Sequence, residues 1–253
     1  MLLASDFDGT LCFHAKEYRD KDLEAIRRFQ RAGNLFAICT GRCYAHVMKA
    51  FRDAGRFDIP YDYLICTSGA CILDNKGNVL MHRPMSFFDA KELYENYSSV
   101  LLEKGTVHGL TTIEFFHPRG GTVCLDEHAS FDELEGMVVN GVSLCFPFGD
   151  NANGSLYADK VDQSGLDVTA FRNRNCVDIV AKGVSKASGL TDLKRICKVE
   201  RTAGIGDSTN DLPLLRQADV SFTFPSSEDE VKAGADYIVG SIEEAIGILM
   251  KEA

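Results

Sequence analysis

A repeated exchange between two apolar periods constrains this chain most. Short runs that read as buried strands are each followed by a segment with apolar residues at helical spacing. Leu2-Leu3-Ala4 is the first such run, and Asp20 to Ala32 then carries Leu23, Ile26 and Phe29 before Gly33. The unit recurs with Leu35 to Cys39, a helix bearing Val47, Met48 and Phe51, and a third strand at Tyr63 to Cys66. Such alternation predicts a parallel sheet, because parallel neighbours need a crossover and a helix supplies it. Ile72-Leu73 and Val79-Leu80 flank Asp74-Asn75-Lys76-Gly77, a hairpin signal, and Pro84 marks a break.

Between about Arg83 and Val180 the pattern changes. It predicts a helix over Phe87 to Glu103, strands around Thr111 to Phe116 and Thr122 to Leu125, a helix near Phe131 to Val138, and further short strands. Alternation then resumes with Lys186 to Lys198, Thr202 to Ile205, Asp211 to Ala218, Val220 to Thr223 and Ile242 to Met250. The expected architecture is an α/β, Rossmann-like parallel-sheet core formed by residues 1–82 and 181–253, with an inserted α+β domain over 83–180.

At 253 residues and 45% hydrophobic, the chain can bury a substantial core without a staple. Its nine cysteines are scattered, with no Cys-x-x-Cys pair and no zinc spacing, so a disulfide framework and a zinc site are not indicated. A reducing, cytoplasmic setting fits, as does the lack of a basic leader and of any apolar run near ~20 residues. A net charge of -10 without a long basic run argues against nucleic-acid and acidic-membrane partners. An anionic substrate must therefore meet a local positive site. Oligomeric state leaves no mark in the sequence.

The chemistry gathers at strand ends. In Asp6-Phe7-Asp8-Gly9-Thr10, positions i and i+2 of an extended segment share a face, so Asp6 and Asp8 point together while Gly9 lets the chain turn. Taken alone, Asp8-Gly9 reads more readily as a turn after a strand than as a site. Gly206-Asp207-Ser208-Thr209-Asn210-Asp211 follows another apolar strand and brings two more carboxylates, although Asn210 or Asp211 could instead cap a helix. Magnesium prefers oxygen ligands and water in an octahedron, which suits carboxylates gathered at the carboxyl ends of parallel strands. Thr40-Gly41-Arg42 ends the second strand, where a hydroxyl and backbone N–H groups near a helix start can hold phosphate oxygens. Lys186, at a helix start in Gly183-Val184-Ser185-Lys186, offers a cation for phosphate.

In this order, Asp-x-Asp-Gly-Thr, Thr-Gly, Lys and Gly-Asp-x-x-Asn-Asp, the chain resembles the haloacid dehalogenase (HAD) superfamily, within its Cof-like sugar-phosphatase branch. The resemblance implies a magnesium-dependent phosphatase of small phosphorylated metabolites that works through an aspartyl-phosphate. It implies Asp6 as nucleophile and metal ligand, and Asp8 as general acid then base, with its backbone carbonyl on magnesium. Thr40, with Gly41, and Lys186 would bind phosphate, and Asp207 would bind the metal. Asn210 and Asp211 would support metal or phosphate, with Asn210 placed toward phosphate. The insert would be a cap that closes over the leaving group and decides specificity. Two departures stand out: Ser68-Gly69-Ala70 where relatives often have Asn-Gly-Ala, and Leu214 where many have Met.

Competing readings are a phosphomutase of the same superfamily, which returns phosphate to a second hydroxyl, and a non-catalytic phosphosugar sensor. Gly204-x-Gly206 is no dinucleotide fingerprint, since Asp207 would repel a pyrophosphate, and Gly183-Val184-Ser185-Lys186-Ala187 lacks the final glycine of a nucleophile elbow. The six histidines fall at no metal spacing, and Arg119, Arg172 and Arg174 of the insert are not assigned a role.

Overall fold

All four residues of β1 (Leu2–Ser5) are buried, as expected for a strand covered on both faces. A computed structural model describes residues 1–14, 16–103, 112–116, 122–125, 136 and 138–251. They divide into two units, 1–81 with 185–253, and 82–184.

In the first unit β1 lies between β2 (Leu35–Cys39) and β11 (Thr202–Ile205), parallel to both. Parallel pairing continues outward to β3 (Tyr63–Cys66) on one side and to β12 (Val220–Thr223) and β13 (Tyr237–Ile238) on the other. Beyond β3, β4 (Cys71–Asp74) runs antiparallel, and β5 (Val79–His82) closes that edge. Only Thr67 to Ala70 connect β3 to β4, too short a link for a parallel crossover, so the chain must turn back.

Successive β1 side chains enter opposite cores. Leu3 packs with Phe36, Ile38, Ile205 and Phe222 under Leu23, Ile26 and Phe29 of α1 (Asp20–Arg31), Val47 and Phe51 of α2 (Tyr44–Asp53), and Ile242 and Ile246 of α8 (Ile242–Leu249). Leu2 and Ala4 face the other way, with Ala37, Cys39 and Ile65, toward Leu190 and Leu193 of α5 (Lys186–Cys197) and Leu214 of α6 (Leu212–Gln217). The expected helix from Asp211 begins as a 3-10 turn over Thr209–Asp211 before α6, because Asp211 is held by side-chain bonds described below. The five-residue α7 (Asp229–Ala233) and two-residue β13 are too short to carry a periodic signal, and sequence reading passes over them.

The second unit contains an antiparallel sheet in the order β7 (Thr122–Leu125), β6 (Thr112–Phe116), β8 (Gly141–Cys145), β10 (Cys176–Ala181), β9 (Val168–Asn173). Leu144 pairs with Val177 and Val142 with Ile179. These share a core with Ala90 and Leu93 of α3 (Phe87–Glu103) and Tyr157, Ala158 and Val161 of α4 (Asn151–Asp162). Across these strands, Ser143 of β8 donates to Asp178 Oδ1 of β10 at 3.0 Å, and Asn173 Nδ2 of β9 donates to Asp178 Oδ2 at 3.0 Å. Helix α4 corrects the expectation of strands alone after residue 138: Gly154 and a polar run mask its period, and Asp150 caps it through the N–H of Asn153. Gly154 is required there, since a Cβ would lie 2.4 Å from the Arg174 carbonyl oxygen. All of the expected helix near Phe131 to Val138 except residues 136 and 138, and Arg119, lie outside the described residues. β10 holds the chain in this unit through Ala181, paired with Val168, and the unit ends at Val184. Among the described residues no helix is long and apolar enough to cross a membrane.

Candidate active site

Asp6 continues the alternation of β1 by one residue. Its N–H extends the ladder to the carbonyl of Ile205 at 2.8 Å, and its side chain falls on the α5 and α6 face after Leu2 and Ala4. There Lys186, first residue of α5 and 2% exposed, donates from Nζ to Asp6 Oδ1 and to Asp211 Oδ1, each at 2.6 Å. Ser185 and Ser188 form a capping box that fixes the start of α5 and so the point from which Lys186 reaches inward.

The loop after β11 supplies the third side of the site. Asp211 Oδ2 accepts the N–H groups of Asp207 and Ser208 at 3.0 and 3.1 Å, so Asp211 both caps the 3-10 turn and grips Lys186. The capping reading of Asp211 thus holds, and the same side chain meets Lys186. Asp207 Oδ1 accepts from Thr10 Oγ1 at 2.9 Å. Gly9, at φ +93°, is what admits Asp207: a Cβ there would sit 2.6 Å from Asp207 Oδ2. Asn210 is largely buried, and its Oδ1 accepts from Ser208 Oγ at 2.7 Å.

Carboxylate oxygens of Asp6, Asp207 and Asp211 lie within 4.8 Å of one another, a group able to hold a cation. The Asp8 carboxylate is not in that group. It is half-exposed and turns to Arg42, whose Nε and terminal nitrogen donate to its two oxygens, both at 2.7 Å. The strand-face argument thus places both carboxylates at one strand end, but each meets a different cation.

Thr40 lies just past the end of β2, beside the segment that follows β1. Its Oγ1 accepts the Arg42 N–H at 3.1 Å, which leaves the hydroxyl hydrogen free to donate. The loop over Thr67–Gly69 packs against this turn: the N–H of Thr67 donates to the Arg42 carbonyl and that of Ser68 to the Thr40 carbonyl, each at 2.9 Å. Thr67 and Ser68 adopt φ of 48° and 50°, a left-handed conformation unfavourable for both and most of all for β-branched Thr67. Asn tolerates that region better than Ser, so Ser68 keeps this backbone without the residue that eases it.

Burial pushes the Asp6 carboxyl well above its usual range; the charges of Asp211, Asp207 and Asp8 add to this and Lys186 opposes it. Burial alone would lower Lys186, but Asp211 and Asp6 outweigh it and hold the ammonium well above its ordinary value. Three crowded carboxylates against one ammonium form a hard-oxygen, electron-rich site whose repulsion a divalent cation relieves. With both Asp211 oxygens engaged by Lys186, Asp207 and Ser208, the carboxylates of Asp6 and Asp207 are the better ligand candidates.

Sequence reasoning gave no role to Thr10, Ser208 or the Arg42 side chain. Thr10 was legible as a hydroxyl just past a glycine turn. The Arg42 contact was not, since nothing in a lone arginine after Thr-Gly says which carboxylate it meets.

Residues 3–107 and 155–250 match the haloacid dehalogenase-like hydrolase family. Phosphoglycolate phosphatase from Sulfurisphaera tokodaii is 34% identical over 253 residues, spanning 98% of this chain and 91% of that protein. Pyridoxal phosphate phosphatase YbhA of Escherichia coli is 26% identical over 262 residues, spanning 94% of this chain and 93% of that protein. Among solved structures, a phosphatase of the superfamily from Bacteroides thetaiotaomicron superposes with a TM-score of 0.77 at 19% identity, covering 99% of this chain and 94% of its own. A subclass IIB sugar phosphatase gives 0.71 at 20% identity, covering 99% and 98%.

Proposed function

The chain belongs to the haloacid dehalogenase-like hydrolases and is a phosphomonoesterase, and on that premise we propose that it hydrolyses small phosphomonoesters, sugar phosphates or related metabolites, with magnesium and through an aspartyl-phosphate on Asp6. The observation that carries the reading is the clustering of the Asp6, Asp207 and Asp211 carboxylates, two of which, Asp6 and Asp211, close on the buried Lys186.

Asp6 and Asp207, with the Asp8 main-chain carbonyl, would hold the metal, and Asp211 supports them by fixing Lys186 and the 207–208 backbone. Bound there, magnesium supplies positive charge against the phosphoryl oxygens. Lys186 adds a second positive charge, and the Thr40 hydroxyl, the Gly41 backbone and Asn210 complete the phosphate contacts. Asp6 attacks phosphorus in line; the bond to the leaving oxygen breaks as Asp8 gives that oxygen a proton. Asp8 then takes a proton from water, which attacks the acyl phosphate, frees phosphate and restores the Asp6 carboxylate. Uncatalysed hydrolysis is slow enough that enhancements approach ~10²¹, so no one of these residues suffices.

The test is free phosphate released from a panel of phosphosugars and phosphorylated cofactors, with magnesium and with chelator. The reading predicts release with magnesium and its loss with chelator. Equal turnover in both would rule out the metal, and transfer to a second hydroxyl in place of water would rule out hydrolysis.

A further inference from the structure

Both carboxylates of the Asp6-Phe7-Asp8 segment are paired with a cation, but only the Asp6 partner is buried with it. Arg42 lies in a fixed setting. Its N–H is held by Thr40 Oγ1 at 3.1 Å and its carbonyl by the N–H of Thr67 at 2.9 Å. Its guanidinium carbon stands 5.4 Å from the centroid of Phe7, a fully buried ring packed edge-on against Phe51 at 6.0 Å. Backbone anchors on one side and a rigid aromatic face on the other leave the guanidinium one aim, the Asp8 carboxylate, which it takes as a two-pronged fork at 2.7 and 2.7 Å.

A carboxylate offers about four acceptor positions, and the fork uses one on each oxygen. The others stay open toward solvent, with the Asp8 side chain 43% exposed. A residue that only neutralised Asp8 would need neither the fork nor the anchors. We propose that Arg42 is a positioning residue for proton transfer: it fixes the plane and direction of the Asp8 carboxylate so that an open oxygen faces the leaving-group oxygen. This inference rests on the reading of Asp8 as the proton shuttle.

The consequence is selective. Protonating the leaving oxygen matters for an alkyl ester, whose alkoxide is a poor leaving group, and little for p-nitrophenyl phosphate, whose phenolate leaves unaided. General acid catalysis typically contributes about 10²- to 10⁴-fold, so a misaimed Asp8 in Arg42→Ala should lower kcat/KM, which covers the steps up to leaving-group departure, by about 10²-fold for an alkyl phosphate and by about 3-fold or less for the aryl phosphate; the later attack of water, which Asp8 also serves, is common to both esters and enters kcat alone. Arg42→Lys keeps the charge but lacks the planar fork, and should lie closer to Arg42→Ala than to the parent. In the double variant Arg42→Ala/Asp8→Asn the alkyl-ester loss should match Asp8→Asn alone, because Arg42 acts only through Asp8.

Circular dichroism and a thermal melt of each variant accompany the kinetics, and Arg42→Lys serves should Arg42→Ala not fold. Equal losses of kcat/KM on alkyl and aryl esters, full activity in Arg42→Lys, or additive losses of kcat/KM in the double variant would each overturn the inference. Failure of the phosphatase reading itself would look different: Asp6→Asn would keep its turnover on every ester.

Discussion

At the scale of single residues, the account turns on charges that are affordable only in company. Lys186 touches two carboxylates inside the protein, and breaking a buried pair by removing one partner typically costs about 3–5 kcal/mol. Lys186→Met should therefore lose about that much stability in chelator, and magnesium should return part of it by restoring positive charge beside Asp6. Urea midpoints with chelator and with magnesium check this; a midpoint unchanged by the substitution would contradict it. Gly9→Ala combines a disfavoured φ with a Cβ 2.6 Å from Asp207, so we expect a loss of about 1–3 kcal/mol and weaker magnesium binding. A magnesium titration identical to that of the parent would refute the close-approach argument. Asp6, Asp8 and Asp207 could be singled out in sequence because each motif follows an apolar strand, and Lys186 because it starts a helix in the company of those motifs. The Arg42 fork and the Thr10 bond were not, because they depend on which side chains tertiary packing brings together.

At the scale of elements, a short hydrogen-bonded staple fixes where β11 and β12 begin, at the end of the sheet opposite the chemistry. Asp219, just before β12, accepts the N–H and hydroxyl of Thr202 at 2.8 and 2.9 Å, and Lys194 of α5 at 2.9 Å. Burial raises its carboxyl, but these donors outweigh burial and hold it below the ordinary 3.8. A depressed folded value means stabilisation that is complete above the unfolded value and lost as pH falls through the folded one. Asp219→Asn should thus cost about 1 kcal/mol near neutral pH, a gap that closes below about pH 3.8. Urea midpoints at both pH values decide it, and a gap that widens in acid would contradict the sign. β2, β3, β11, β12 and α3 were readable to the residue from period and flanking breakers. α4 was not, because Gly154 and Asn-rich turns hide a helix that tertiary packing imposes, nor was the direction of β4 against β3, which follows from a connection too short to cross over.

At the scale of the whole molecule, every residue given a chemical role lies in the unit formed by residues 1–81 and 185–253, which carries its own cores on both sheet faces. Replacing residues 82–184 with a flexible linker should therefore leave one cooperative unfolding transition and a magnesium-dependent rise in Tm. A variant with no transition would show that the first unit depends on the second to fold. The change of period near Arg83 and its return near Lys186 are the features from which an interruption is expected in sequence, whereas the order of strands is set by crossovers that no local pattern encodes. The central claim is that Asp6 is the attacking group. It is tested most directly by phosphate release from Asp6→Asn, folded by circular dichroism, against the parent with magnesium. The account predicts a fall in kcat of at least about 10³-fold on every ester, the scale of losing a nucleophile; turnover equal to the parent would contradict it.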